Sequence, residues 1–335
     1  MQQRRSRRKW LTPATATLLA LLALWAARDA WFPGVQEPAY RFVNAWGEPG
    51  SGPGQFRDPT GIAVTETEVF VSDSRNARIQ VFDHAGRFRR QFGVRDEAQG
   101  EAPGSLGRPM NLALHNDELY VADYWHDRIQ VFSLAGAPLR TLGRSGAAAG
   151  EFRSPGGVAV AANGDLFVAD FYNQRIQRLD PDGRFIAQWG STGEVGIRAG
   201  AFNYPTDVAL AADGSLYVAD GYNDRIQVFS AQGRFRRKWG GPFAINIFGP
   251  FNGWFATVTS VAVGPRGALF VADFYNHRVQ KFAADGTFLN ALGEEGSGPG
   301  QFNHAVAVAV APDGSVFVAD FGNNRIQQWR PHDSE

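Results

Sequence analysis

Past residue 30 the chain is written in short runs where every second side chain is apolar. Glycine, asparagine, aspartate and proline cut each run off, and the three-and-four spacing of an amphipathic helix does not appear. The stretch SPGGVAVAANGDLFVADFYNQRIQRLDPDGRFIAQWG, from Ser154, shows the plan. It reads as strand GVAV, turn ANGD, strand DLFVAD, loop FYNQ, strand RIQRL, turn DPDG and strand RFIAQWG. The turns carry residues that tolerate positive φ, as at Asn163, Asp213, Asp285 and Asp313.

This plan recurs six times. VFVSDSRNARIQVF from Val69, LYVADYWHDRIQVF from Leu119, LFVADFYNQRIQRL from Leu166, LYVADGYNDRIQVF from Leu216, LFVADFYNHRVQKF from Leu269 and VFVADFGNNRIQQW from Val316 are copies of one segment. An aspartate (Asp73, Asp123, Asp170, Asp220, Asp273, Asp320) precedes an arginine (Arg78, Arg128, Arg175, Arg225, Arg278, Arg325) by five residues in each copy. Four antiparallel strands per unit of about 50 residues, repeated radially, predict an all-β fold, a six-bladed β-propeller of four-stranded blades. The last copy ends near Arg330 with three strands. RFVNAWG at Arg41–Gly47 matches the missing fourth, so the N-terminal strand, about residues 40–46, is expected to complete the last blade and close the ring. Ile62–Val64, Leu112–Leu114, Val158–Val160, Val208–Leu210, Val261–Val263 and Val308–Val310 should surround a central channel. The propeller occupies residues 40–331.

Residues 1–28 are different. Five basic residues among Arg4–Lys9 precede Trp10–Ala27, a run of 18 residues without a charge. At about 1.5 Å per residue a helix of this length spans roughly 27 Å, enough for a hydrocarbon core. The basic flank predicts a cytoplasmic N-terminus, with a transmembrane or signal helix leading an exported body. Small residues are poorly placed for cleavage, which favours a retained signal-anchor over a removed signal peptide. SRRKWL at Ser6–Leu11 also resembles a twin-arginine export signal. Residues 29–39 read as a Pro-containing linker. The expected location is the membrane, single-pass, with the propeller on the periplasmic side, or an exported soluble form if the helix is cleaved.

Formal charge is zero over the whole chain, but residues 29–335 hold 33 − 6 = 27 basic against 33 acidic residues, about −6. An acidic body argues against nucleic acid as a partner. The absence of cysteine excludes disulfides, thiolate zinc sites and cysteine nucleophiles.

Taken together, PxGVAV, LFVAD..N.RIQVF and G.F...WG resemble the NHL repeat, in all six units and over roughly residues 40–330. The resemblance implies a six-bladed propeller. It implies no single activity, because NHL-like propellers include RNA- and protein-binding modules, extracytoplasmic sensor domains and a few lyases and hydrolases.

An Asp and Arg present in every copy are expected to build the blade. Function is expected where copies differ, in the loops between second and third strands. These loops bring Tyr124, Trp125, Phe171, Tyr172, Tyr222, Phe274, Tyr275 and Phe321 to one face, a belt suited to an apolar or planar ligand, a sugar or a peptide. The blade connection Gly241–Thr257 is unusually apolar and adds Trp254 as a ligand-binding candidate. Candidates for catalysis are His126, His277, His304 and Asp207, without a repeated histidine position. Zinc or calcium is therefore conceivable only on resemblance to metal-dependent NHL-like lyases and calcium-dependent lactonases, and no metal ligand set or cofactor is assigned. Two functions follow. One is a membrane-tethered binding or scaffold module for a protein, peptide or small ligand, with residues 10–27 in the membrane. The other is a metal-assisted lyase or hydrolase at the channel mouth.

Overall fold

The computed structural model describes residues 31–95 and 102–332; the expected helix over Trp10–Ala27 lies outside them. Among the described residues, no helix is long and apolar enough to cross a membrane.

Six four-stranded antiparallel sheets form the blades. From inner to outer strand, the first blade holds Pro59–Val64, Glu68–Asp73, Arg78–Asp83 and Phe88–Phe92. The second holds Pro109–His115, Glu118–Asp123, Arg128–Ser133 and Pro138–Leu142. The third holds Pro155–Val160, Leu166–Asp170, Arg175–Leu179 and Phe185–Trp189, and the fourth Pro205–Leu210, Leu216–Asp220, Arg225–Phe229 and Phe235–Trp239. The fifth holds Val258–Val263, Leu269–Asp273, Arg278–Phe282 and Phe288–Leu292. The sixth holds Ala305–Val310, Val316–Asp320 and Arg325–Arg330, and its outer strand is Arg41–Trp46, from the other end of the chain. The closing register pairs Phe42 with Trp329 and Trp46 with Ile326. Ring closure therefore follows the sequence reading.

The second strands are buried on both faces, because each blade is sandwiched between two others. In the first blade Val69 and Val71 pack with Ala307 and Phe317 of the sixth, while Phe70 packs with Leu112 and Val121 of the second. Alternation here sorts side chains between two neighbours rather than between core and water, which makes the strands read as continuous apolar runs. Six such clusters, one at each blade boundary, make up the core. Trp46 lies 5.9 Å from Phe82 and 6.2 Å from Phe317 between ring centroids, so the closing strand also joins the sixth blade to the first.

The segment before the closing strand is more than a linker. Gln36 N–H donates to the Leu289 carbonyl at 2.8 Å. Asn290 Nδ2 donates to the carbonyls of Glu37 and Pro38 at 3.0 and 2.7 Å. Glu37 pairs with Lys281, and Tyr40 meets Phe270 edge-on at 5.8 Å. The chain thus runs down the outer edge of the fifth blade before entering the sixth.

Candidate functional site

The shared aspartate is a hydrogen-bond hub. In the fourth blade Asp220 Oδ1 accepts from Asn203 N–H at 2.7 Å, and Oδ2 accepts from Asn223, Arg225 Nε and Gln227 at 2.9, 2.7 and 3.0 Å. Arg225 then donates to the carbonyls of Arg198 and Ala201 in the preceding connection. The first, third, fifth and sixth blades repeat this scheme. The carboxylate is fully buried in all six blades, and its lone pairs are taken up by the blade's own donors. Nothing is left over for chemistry.

In the four-residue loop after the aspartate, the third residue is Asn in five copies and His126 in the second. His126 Nδ1 lies 2.8 Å from Asp123 Oδ2, where the asparagine amide sits elsewhere. The fourth residue takes a left-handed backbone in all six loops, with φ between 50° and 57°. In five of them its side chain accepts an N–H from the residue that opens the next blade. Asp127 takes Ser154, Gln174 takes Tyr204, Asp224 takes Thr257, His277 takes His304 and Asn324 takes Asp58, at 2.6 to 3.1 Å. In the first blade the residue is Ala77, which has no acceptor, and Arg108 N–H bonds instead to Asp123 of its own blade at 3.1 Å. His126 and His277 thus occupy two different scaffold positions. His277 and His304 are brought together, 4.5 Å between centroids, whereas His126 is engaged in the second blade. His304 stacks on Phe274 at 4.4 Å, and burial, with His277 beside it, holds its pKa below the ordinary value.

The loop aromatics lie around the channel mouth, and Tyr204 packs among them. Tyr124, Phe171, Tyr172, Tyr204 and Tyr222 touch in sequence across three blades, with centroids 4.9 to 6.5 Å apart. Across the mouth, Phe274 contacts Tyr275, His304 and Phe321. Between the two groups lies a cavity of about 300 Å³ lined by Tyr124, Phe171, Tyr222, Phe274, Tyr275, Arg108 and several threonines. Trp125, Tyr172, Tyr222 and Tyr275 keep much of their surface exposed on its rim. Among the described residues, Arg108 is the one charged residue lining the cavity, and its guanidinium lies 5.7 Å from the Trp125 ring. Sequence reasoning missed both Tyr204 and Arg108. Their signal was positional: each opens a blade where the other copies carry Asp58, Ser154, Thr257 or His304.

Below the mouth, a channel of about 280 Å³ is walled by the inner strands, and Asn111 lines both spaces. Asp207 faces this channel. Its Oδ2 accepts Val261 N–H at 3.0 Å, and Ser260 and Asn111 hydrogen-bond it from the fifth and second blades. Asp207 reaches across the third blade because Gly157 stands between; a Cβ there would come within 2.2 Å of Asp207 Oδ1. Burial pushes the Asp207 carboxyl up to about 7. Among the described residues, no three His, Asp or Glu side chains group to hold a metal ion.

Trp254 stands apart from the mouth. It stacks on Phe32 at 5.7 Å, and its Nε1 donates to the Trp31 carbonyl at 2.5 Å. The Gly241–Thr257 connection is therefore clamped to the incoming N-terminal segment. It also meets the loops on the mouth face, since Phe274 and Tyr275 N–H donate to Thr257 and Ala256 carbonyls at 3.0 Å.

The NHL repeat family model matches residues 56–82, 152–179, 202–229, 255–282 and 302–329. Protein brain tumor of Drosophila melanogaster is 49% identical over 49 residues, 14% of this chain and 5% of that protein. The B-box type zinc finger protein ncl-1 of Caenorhabditis elegans is 49% identical over 47 residues, 14% of this chain and 6% of that protein. The chain thus spans only a small part of these relatives. Among solved structures, a protein of unknown function from Bacteroides thetaiotaomicron is similar with a TM-score of 0.66 and 16% identity, covering 87% of this chain and 76% of that one. Virginiamycin B lyase from Staphylococcus aureus has a TM-score of 0.55 and 15% identity, covering 89% and 90%. At such identities the likeness is one of fold.

Proposed function

The chain belongs to the NHL-repeat family, and from that premise we propose that it is a membrane-tethered, extracytoplasmic propeller that binds a protein, peptide or small ligand through its aromatic mouth. The observation that carries this reading is the cavity between Phe171 and Tyr222 on one side and Phe274 and Tyr275 on the other. Its rings leave apolar faces free, with Arg108 as the sole charge among the described lining residues, a composition suited to an apolar or aromatic group with polar ends. The tether rests on the uncharged run Trp10–Ala27 behind a basic N-terminus. The acidic body supports a partner other than nucleic acid.

Displayed peptides selected on the full chain would test the reading. Their affinity should fall about tenfold or more in the Tyr222→Ala/Tyr275→Ala double variant, with unchanged melting. Equal affinity for both forms would move the binding surface elsewhere.

The lyase or hydrolase alternative draws on the paired rings of His277 and His304 at the mouth. Its weakness is that His277 Nδ1 is already engaged with the backbone N–H of His304.

A further inference from the structure

We propose that the mouth face of the propeller lies against the bilayer, with the Gly241–Thr257 connection seated in the boundary between headgroups and acyl chains. The inference rests on the membrane tether proposed above and specifies how the tethered domain is oriented.

Three observations point to lipid as the occupant. The first is exposed apolar surface in one place. Phe243 and Phe248 are each 70% exposed, and Ile245, Ile247 and Phe251 are exposed with them. Such a concentration on a single connection marks a contact surface, whereas scattered exposed apolar residues need no explanation. The surface extends into the preceding connection, where Val195 and Ile197 are also exposed. Arg225 holds the two connections side by side by donating to the carbonyls of Ile197 and Ala244, at 2.5 and 3.0 Å.

The second observation is where the chain enters the fold. Phe32 packs edge-on to Phe251 at 4.9 Å and stacks on Trp254, while Trp31 meets Phe243 at 5.8 Å. Asn252 Nδ2 donates to the Pro33 carbonyl at 3.1 Å. The apolar connection and the N-terminal entry form one surface. Only Arg28, Asp29 and Ala30 separate Trp31 from the uncharged run ending at Ala27. Fully extended, four residue steps cover at most about 14 Å, so the patch cannot stand far from the membrane surface if that run is embedded.

The third observation is chemical. The patch combines phenylalanine and isoleucine with Trp31, Trp254 and, close by, Lys238, whose Nζ donates to the Ala244 carbonyl at 3.0 Å. Aromatic rings with a polar edge and a cation at the margin are the composition that settles at a membrane–water boundary. A consequence follows for the mouth. The connection touches the Phe274 and Tyr275 loops, so the ligand would approach from the membrane side, which favours a membrane-borne or lipophilic group.

Because the chain has no cysteine, Phe248→Cys takes a single environment-sensitive fluorophore. Asp182→Cys, in an exposed turn on the opposite face of the third blade, is the reference. The full chain is reconstituted in vesicles of phosphatidylethanolamine and phosphatidylglycerol containing an acyl-chain nitroxide lipid, then floated after a high-salt wash. The expected result is flotation, with quenching at position 248 about fivefold or more above that at 182. Flotation with equal quenching at both positions overturns the docking and leaves the tether standing. Shielding at 248 that follows protein density rather than nitroxide lipid assigns the patch to a second copy and also overturns it. A chain that stays in the soluble fraction removes the tether and the docking together.

Discussion

Asp207 and His277 show how a residue that departs from its copies can be tied into the scaffold. Asp207 stands in a register held by Gly61, Gly157, Ser260 and Ala307 in neighbouring blades. Its carboxyl is raised to about 7 by burial, while an unfolded aspartate titrates near 4. Between those values the folded chain holds a proton that the unfolded chain has lost. Stability from this group is therefore complete below about pH 4 and is lost as pH rises through about 7, with a slope of up to about 1.4 kcal/mol per pH unit. Urea unfolding at several pH values should show this loss in the wild type relative to Asp207→Asn; parallel pH profiles would contradict it. His277 accepts the N–H of His304 where the third blade uses Gln174. His277→Gln should keep wild-type stability, and His277→Ala, which copies Ala77, should lose about 1–2 kcal/mol because a half-buried N–H is left unpaired. Equal losses in both variants would show that the tie contributes nothing. The aspartate at the start of each loop was legible as scaffold from its six-fold presence. The acceptor role of the fourth residue was not, because Ala, Asp, Gln, Asp, His and Asn share no side-chain type. All six share a left-handed backbone, and the five with an acceptor share a partner from the next blade, which becomes adjacent only on folding.

At the scale of the element, the strands and the closing register were readable because turn chemistry and period-two alternation coincide in every copy. The three-residue 3₁₀ turns and the small parallel bridges, such as Glu48–Pro49 with Gln55–Phe56, were not readable, since they depend on backbone hydrogen bonds inside aperiodic loops and connections. The strap of residues 31–39 was also missed. A proline-containing segment has no periodicity, and its hydrogen bonds go to the outer strand of a blade some 250 residues away. The closing strand makes a direct prediction. Trp46→Ala removes the ring that spans Phe82 and Phe317, and should cost about 3 kcal/mol in chemical unfolding. Val43→Ser, on the exposed side of the same strand, should stay within about 0.5 kcal/mol. Comparable losses would mean that the strand is held by its backbone ladder alone.

For the whole molecule, six near-identical scaffolds carry an uneven mouth, aromatic over the second to sixth blades and polar at Ser74 and Arg75 in the first. A ring built this way keeps the stabilising contacts, spread over six blade boundaries, apart from the few loop positions that vary and to which we assign recognition. Copy-to-copy variation pointed to this face as the candidate site; its cavity, and the inclusion of Tyr204 and Arg108, required the loops to be closed over the channel. The central claim is that this mouth is where the protein meets its ligand. A photoreactive benzoylphenylalanine placed at Tyr222 or Tyr275 in the full, membrane-bound chain tests it most directly, with the same group at Asn163 on the opposite face as reference. Specific adducts from positions 222 and 275, and none from 163, are the predicted result. Adducts from 163 with none from the two mouth positions would contradict the account.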